Sequence, residues 1–154
     1  MTEHLDKSKG YVTSVELLAK REHSAQELVY KLLKRGFSEE VVESVLARLG
    51  NENLQSDVRY TEVYIHQRSQ KGYGPQRIAA ELRERGIDDA LIGTAMRQAE
   101  EEGEVDWFAL AVAAYRKKFG GDGPADIRER ARRQRFMLYR GFSHEQIAEA
   151  MGKR

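Results

Sequence analysis

The chain has 154 residues, of which 40% are hydrophobic and 33% are charged, with a net charge of +1. Because it contains no cysteine, disulfides, thiolate catalysis and cysteine-based zinc sites are excluded. The longest apolar run is far shorter than the roughly 20 residues that cross a bilayer, and the first ten residues resemble no secretory signal, so we expect a cytoplasmic protein.

The first predicted unit is a three-helix repeat over residues 14–56, preceded by a flexible N-terminal segment, 1–13. Thr13 and Ser24 each begin a capping box, in which Glu follows three residues later. Ser38 is placed to cap a third helix. The predicted helices cover about 14–22, 25–35 and 39–49.

The second predicted repeat covers residues 57–105. Asp57 and Asp88 can cap helices because their carboxylates accept hydrogen bonds from unpaired backbone N–H groups. Pro75 suits the first turn of a helix, where its missing N–H does no harm. The predicted helices cover about 58–71, 75–85 and 89–102.

The third predicted repeat covers residues 106–154 and carries an excess of positive charge. Asp106 and Ser143 are expected caps, and Pro124 is expected in a first helical turn. The predicted helices cover about 107–119, 125–139 and 144–152.

One phrase recurs in all three units: a basic residue, a glycine, an apolar residue and a capping residue. Its glycines are Gly36, Gly86 and Gly141, and each should end a helix in the left-handed conformation that glycine tolerates. No alternating strand pattern occurs between turns. We therefore predict an all-α fold of three tandem three-helix, helix-turn-helix-like repeats, stacked into an elongated and curved molecule. A compact nine-helix globule is the alternative.

The same residues resemble the signatures of the RecX family over about residues 14–151. The central signature is similar to Leu54, Asp57, Arg59, Tyr60, Arg68, Gly72-Tyr73-Gly74-Pro75, Arg77-Ile78, Glu81-Leu82 and Arg85-Gly86-Ile87. The C-terminal signature is similar to Asp106-Trp107, Arg116-Lys117-Lys118-Phe119-Gly120, Arg133, Phe136-Met137-Leu138 and Arg140-Gly141-Phe142-Ser143. Ser56 departs from the family, which often has an acidic residue there, and 1–13 has no counterpart.

The resemblance implies a regulator that binds the RecA recombinase and its nucleoprotein filament. Such a protein would inhibit the recombinase, ATPase and co-protease activities of RecA and so limit recombination and the SOS response. It implies no enzymatic activity and no cofactor. Single- or double-stranded DNA is a further candidate partner, and we expect a monomer.

Positive charge is concentrated near the C-terminal end of the chain. Residues 1–108 hold 15 Lys/Arg against 20 Asp/Glu, a net charge of −5, whereas 109–154 hold 11 against 5, a net charge of +6. This asymmetry indicates an anionic partner, although a solvated face is equally compatible with it.

The penultimate predicted helix carries most of these cations. Helical geometry places Ile127, Ala131, Gln134 and Leu138 on one face, expected to be the core. Arg128, Arg132 and Arg135 form a stripe beside that face and are expected to be exposed. Arg133, Phe136 and Arg140 continue around the opposite side. Like charges at these spacings cost helix stability, so we interpret the stripe as a binding surface.

Further candidates extend this surface. Tyr73 could stack on a base or pack against its own turn. The remaining predicted binding residues are Arg116, Lys117 and Lys118 before the penultimate helix, and Arg68, Lys71 and Arg77 in the middle repeat.

Other function classes are less well supported by the residues. The four histidines have no spacing suited to a metal site, and no metal or catalytic residue is predicted. The main alternative is a helix-turn-helix protein acting directly on DNA, but the helix that would enter the groove is acidic in every repeat. An inert scaffold would leave the arginine stripe unexplained.

Overall fold

The computed structural model describes residues 2–152, and side chains from residue 6 onward. Within that range the chain forms nine α-helices and no strand. The helices are α1 (Thr2–Lys20), α2 (Ala25–Lys34), α3 (Glu39–Asn51), α4 (Asp57–Gln70), α5 (Pro75–Glu84), α6 (Asp89–Glu101), α7 (Trp107–Phe119), α8 (Ile127–Arg140) and α9 (His144–Ala150).

Each consecutive triplet of helices is built around a hydrophobic core, and the core of repeat 2 also takes in Trp107 at the start of α7. In repeat 1 (α1–α3) the core is built around Leu28 and Leu32, and in repeat 2 (α4–α6) around Ile78 and Leu82. The core of repeat 3 (α7–α9) is built around Met137 and includes Ala111, Tyr115, Phe142 and Ile147. These results confirm the predicted all-α, three-repeat fold.

The accessible surface supports an elongated arrangement of the repeats. It amounts to 9743 Å², whereas a compact monomer of 17.7 kDa would expose roughly 8,000 Å². Three small cores placed in a row leave more surface exposed than one large core of the same mass.

Helix starts follow the local sequence at most positions. Ser24 and Ser143 form complete capping boxes, and Ser38, Asp88 and Asp106 each accept a hydrogen bond from a first-turn N–H. Pro75 occupies the first turn of α5, as predicted. Gly36, Gly86 and Gly141 all have positive φ angles, of 95°, 84° and 102°.

One predicted helix start and two predictions about first-turn residues are wrong. The first helix begins at Thr2 instead of near Thr13, so residues of the segment 1–13 that the structure describes are helical. This extension is held by packing, because Gly10 lies against Val45 and lets α1 approach α3 closely. Thr13 therefore lies inside α1 and does not begin a helix.

The other two errors concern the cap of α4 and the place of Pro124. Ser56, not Asp57, caps α4. The Asp57 carboxylate instead accepts hydrogen bonds from Ala25 N and the Gln55 amide, both at 2.8 Å. Pro124 precedes α8, which begins at Ile127 under an Asp126 cap.

The predicted core face of α8 is also wrong. Ile127 is 85% exposed and Leu138 is 39% exposed, whereas Arg133 and Met137 are buried. The repeat register explains this result. Counting back from the turn glycine, Met137 takes the place of Leu32 and Leu82, and Arg133 takes the place of Leu28 and Ile78. Packing against α7 and α9 decides which face is inside.

Neighbouring repeats are joined by hydrogen bonds between helix ends. Gly74 N and Gln76 N, at the start of α5, donate to Arg140 O at 2.8 Å and Gly141 O at 3.0 Å, at the end of α8. Ser24 Oγ, at the start of α2, likewise donates to Arg85 O at 2.8 Å. At each interface between repeats, which we call a seam, carbonyls that a helix leaves unpaired at its C-terminal end thus accept hydrogen bonds from the neighbouring repeat, from backbone N–H groups in one seam and from a side-chain hydroxyl in the other.

The seam leaves no room for a side chain at the turn glycine. A Cβ on Gly141 would lie 2.3 Å from Arg77 Cβ and 2.6 Å from Arg77 N. Gly36, the equivalent turn in repeat 1, faces no preceding repeat, and a Cβ there would meet nothing within 4 Å.

We expect Gly141→Ala to lower the free energy of unfolding more than Gly36→Ala. Both substitutions place alanine at positive φ, at a cost of about 1–2 kcal/mol, but only Gly141→Ala forces the seam apart, which adds about 2 kcal/mol. Urea unfolding of the two variants measures the difference. Equal losses would show that the seam tolerates displacement.

Candidate functional site

Three of the predicted binding arginines meet around one tyrosine ring at the seam between repeats 2 and 3. The guanidinium carbon of Arg68 lies 3.9 Å from the centroid of the Tyr73 ring, and those of Arg77 and Arg140 lie 4.6 Å from it. The three side chains come from α4, α5 and the end of α8. Tyr73 therefore packs within the chain, and it organises cations from two repeats.

Glu81 on α5 holds two of these arginines in place. Its carboxylate accepts hydrogen bonds from Arg68 at 3.0 and 3.1 Å, from Arg77 at 3.2 Å and from the Tyr64 hydroxyl at 2.8 Å. Burial raises the pKa of Glu81, but these hydrogen bonds outweigh burial and leave the pKa below its ordinary value. With one carboxylate among three guanidinium groups, the cluster stays positively charged.

The cluster continues through a second ring onto α7. Lys118 Nζ and the guanidinium carbon of Arg140 lie 5.2 and 5.3 Å from the centroid of Phe136. Phe119 packs edge-on against Phe136 at 5.3 Å, and Arg132 lies 5.7 Å from the Phe119 ring. We call this set the cation–aromatic row: Tyr73, Phe136 and Phe119 with Arg68, Arg77, Arg140, Lys118 and Arg132.

Five further predicted residues are exposed cations that form no hydrogen bond or ion pair with any residue the structure describes. They are Lys71, Arg116, Lys117, Arg128 and Arg135. Of the predicted stripe on α8, Arg128 and Arg135 therefore remain available to a partner. Arg132 is also exposed but is held by Glu129 at 2.6 and 3.0 Å.

Arg133 is not part of an exposed binding surface, contrary to the prediction. It is 8% exposed and lies in the core of repeat 3. Its guanidinium donates to the Tyr115 hydroxyl at 2.8 Å, to Asp122 O at 2.9 Å and to Glu129 at 3.1 Å. A buried charge is tolerated only with such partners. Arg133 thus fastens the segment before α8 to the core.

The arrangement is suited to binding a polyanion. Guanidinium groups that are stacked on rings are held in a fixed orientation, which lowers the entropy lost when they bind phosphate or carboxylate groups. The exposed cations that form no ion pair with a described residue add attraction at longer range.

Several contributors were not predicted from the sequence as binding residues: Glu81, Phe119, Phe136 and Tyr139. Tyr139 O accepts a hydrogen bond from Arg77 at 3.2 Å, and the Tyr139 ring lies 4.8 Å from the Arg77 guanidinium carbon. A signal was present, because a basic residue neighbours each aromatic residue in Lys118-Phe119, Arg135-Phe136 and Tyr139-Arg140.

Other kinds of site find less support. Glu39, Glu40 and Glu43 are exposed on α3, where a helix-turn-helix protein would contact DNA. Residues 6–152 contain no cluster of three or more His, Cys, Asp or Glu side chains that could hold a metal ion. None of the helices in the described chain is long and apolar enough to cross a membrane.

We expect Glu129 to titrate with a pKa of about 2, because hydrogen bonds from Arg132 and then Arg133 favour its charged form. A lowered pKa stabilises the fold above the ordinary value of 4.5, and this stability is lost as the pH falls through that value towards 2. Carboxyl NMR titration measures the pKa, and Glu129→Gln should flatten the acid side of the stability profile. A midpoint near 4.5 would contradict the pairing.

We expect the Arg133→Leu/Tyr115→Phe double variant to unfold within about 1 kcal/mol of the wild type. Replacing both Arg133 and Tyr115 by apolar groups leaves no stranded hydroxyl or guanidinium in the core, while Glu129 keeps Arg132 as its partner and the exposed Asp122 can pair with water. Arg133→Ala should lower the free energy of unfolding by roughly 3 kcal/mol, because it opens a cavity and leaves the Tyr115 hydroxyl without its partner. Urea unfolding of both variants is the measurement, and equal losses would contradict the structural role.

Comparison with known proteins agrees with the fold and with the family resemblance. Three RecX family models match: the first three-helix domain at residues 11–49, the second at 56–96 and the third at 104–151. The chain is 45% identical over 142 residues to the regulatory protein RecX of Pseudomonas entomophila, covering 92% of this chain and 89% of that protein.

A second relative supports the same family, and a solved structure has the same fold. The regulatory protein RecX of Pseudomonas fluorescens is 43% identical, with 92% of this chain and 89% of that protein covered. The crystal structure of RecX from Lactobacillus salivarius matches with a TM-score of 0.76 at 22% identity, covering 94% of each chain, which supports the fold. From three consecutive domain matches and relatives aligned over nine-tenths of its length, the chain belongs to the RecX family of regulatory proteins.

Proposed function

We propose that this chain binds the RecA recombinase on its DNA filament and inhibits the recombinase, ATPase and co-protease activities of RecA. It would thereby limit recombination and the SOS response. The observation that supports this proposal is the cation–aromatic row at the seam of repeats 2 and 3. A filament of protein and DNA is a polyanion, and the row offers oriented cations to it.

The mechanism is binding without catalysis. The row would engage phosphates, or acidic side chains of the filament, while Lys117, Arg128 and Arg135 add attraction from α7 and α8. An elongated monomer held along a filament in the cytoplasm would hinder the addition of RecA subunits. ATP hydrolysis by RecA would then fall because less filament forms.

The alternative, a protein that acts on DNA through its helix-turn-helix geometry, is less well supported. Its third helices would bring exposed Glu39 and Glu43 in repeat 1, and Glu145 and Glu149 in repeat 3, towards phosphates. Like charges would repel. The cation–aromatic row is positively charged and would attract phosphates.

We expect the Lys117/Arg128/Arg135→Ala variant to need about tenfold more protein to inhibit the RecA ATPase than the wild type. Three lost electrostatic contacts are enough for a change of that size. The three side chains are exposed and form no hydrogen bond or ion pair within residues 6–152, so the variant should fold normally. RecA-dependent ATP hydrolysis on single-stranded DNA, with strand exchange alongside it, is the measurement.

A matched control removes the same charge elsewhere. Lys9, Lys20 and Arg97 are also exposed and form no hydrogen bond or ion pair with described residues, so the Lys9/Lys20/Arg97→Ala variant should inhibit like the wild type. If DNA phosphates are the contact, the salt dependence of DNA binding should become shallower only in the first variant. Equal inhibition by both variants would refute the role of this surface.

A further inference from the structure

Repeat 1 has an open apolar groove on a different surface from the cation–aromatic row. The groove runs between α2 and α3 and has a volume of about 540 Å³. Val29, Leu33, Val42 and Leu46 form its floor, and Leu33 is 39% exposed. Glu39 and Glu43 line its rim. A cavity of this size lies within the range that binding sites occupy.

The other repeats show that this apolar character is not a requirement of the fold. With Gly36 aligned to Gly86, repeat 2 places Arg83 at the position of Leu33 and Arg97 at the position of Ala47. With Gly36 aligned to Gly141, repeat 3 places Gln134 at the position of Val29. Only repeat 1 keeps all of these positions apolar.

The rim acids also lack the partner that repeat 2 provides. In repeat 2, Arg83 donates to Asp89 at 2.6 Å. Asp89 is the counterpart of Glu39, but because Leu33 replaces the arginine, Glu39 has no cation among the described residues. Glu43, one helical turn further along α3, is equally unpaired with any described residue.

We propose that this groove binds an amphipathic helix of a partner protein, whose apolar residues fill the groove and whose flanking Lys or Arg residues pair with Glu39 and Glu43. Helices that insert apolar side chains at positions i, i+3, i+4 and i+7 into an apolar groove are an established mode of recognition. The cation is then supplied by the partner instead of by the chain itself. Nucleic acid is a poor occupant because the rim carboxylates repel phosphates.

The test uses the full chain and a labelled 18-residue helix designed from Leu, Ala and Lys, with Leu on one face. A second helix with Glu in place of Lys serves as the charge-reversed probe. In fluorescence anisotropy the wild type should bind the Lys helix at least tenfold more tightly than the Glu helix. Equal affinity for both probes would overturn the proposal.

Two variants locate the binding in the groove. Leu33→Arg/Ala47→Arg introduces the residues that repeat 2 carries at these positions, and it should weaken binding of the Lys helix at least tenfold. Glu39→Lys/Glu43→Lys should reverse the preference, so that the Glu helix binds more tightly. If either variant binds both probes as the wild type does, the groove is not the site.

Two controls distinguish the groove from a general effect of added charge and from self-association. Gln70→Arg/Thr94→Arg adds the same charge at exposed positions outside the groove and should bind the Lys helix like the wild type. Light scattering after gel filtration should give a monomer mass. A dimer that Leu33→Arg/Ala47→Arg abolishes would mean that a second copy fills the groove, against the proposal. None of these assays contains RecA, so their outcome is independent of the proposed function.

Discussion

The structure depends on one repeated contact, in which the start of the second helix of a repeat meets the glycine turn of the next repeat. Gly74 N and Gln76 N donate to the carbonyls of Arg140 and Gly141, and Ser24 Oγ donates to Arg85 O. Each hydrogen bond satisfies groups that a helix cannot satisfy internally. Together with Trp107 and Leu110, through which α7 packs against the core of repeat 2, these helix ends determine how the repeats are placed relative to one another.

The same contact assembles the candidate binding surface. Where α5 packs against the end of α8, Arg77 contacts Tyr139 and Tyr73 contacts Arg140. Cations from two repeats then share aromatic rings, and Glu81 fixes the orientation of those on the α5 side. Fold stability and the placement of the surface therefore rest on the same few atoms.

The three repeats share one backbone arrangement but carry different side chains at equivalent positions. Repeat 1 has an apolar groove whose acids pair with none of the residues that the structure describes, whereas repeat 2 pairs the acid equivalent to Glu39 with Arg83. Repeat 3 places Arg133 where the other repeats place Leu28 and Ile78, and surrounds it with Tyr115 and Glu129. The chain can thus present an apolar groove bordered by Glu39 and Glu43 in repeat 1 and a cationic surface at the seam of repeats 2 and 3.

The sequence by itself determined the helices, most caps, the three glycine turns and the charge asymmetry, because each depends on residues within a few positions of one another. Only the tertiary structure decided that Arg133 lies inside while Ile127 lies outside, since packing against α7 and α9 overrides the apolar pattern of α8. It also decided that Arg68, Arg77 and Arg140 surround Tyr73. Those side chains come from helices that are distant in sequence, and no local rule specifies which distant helices will meet.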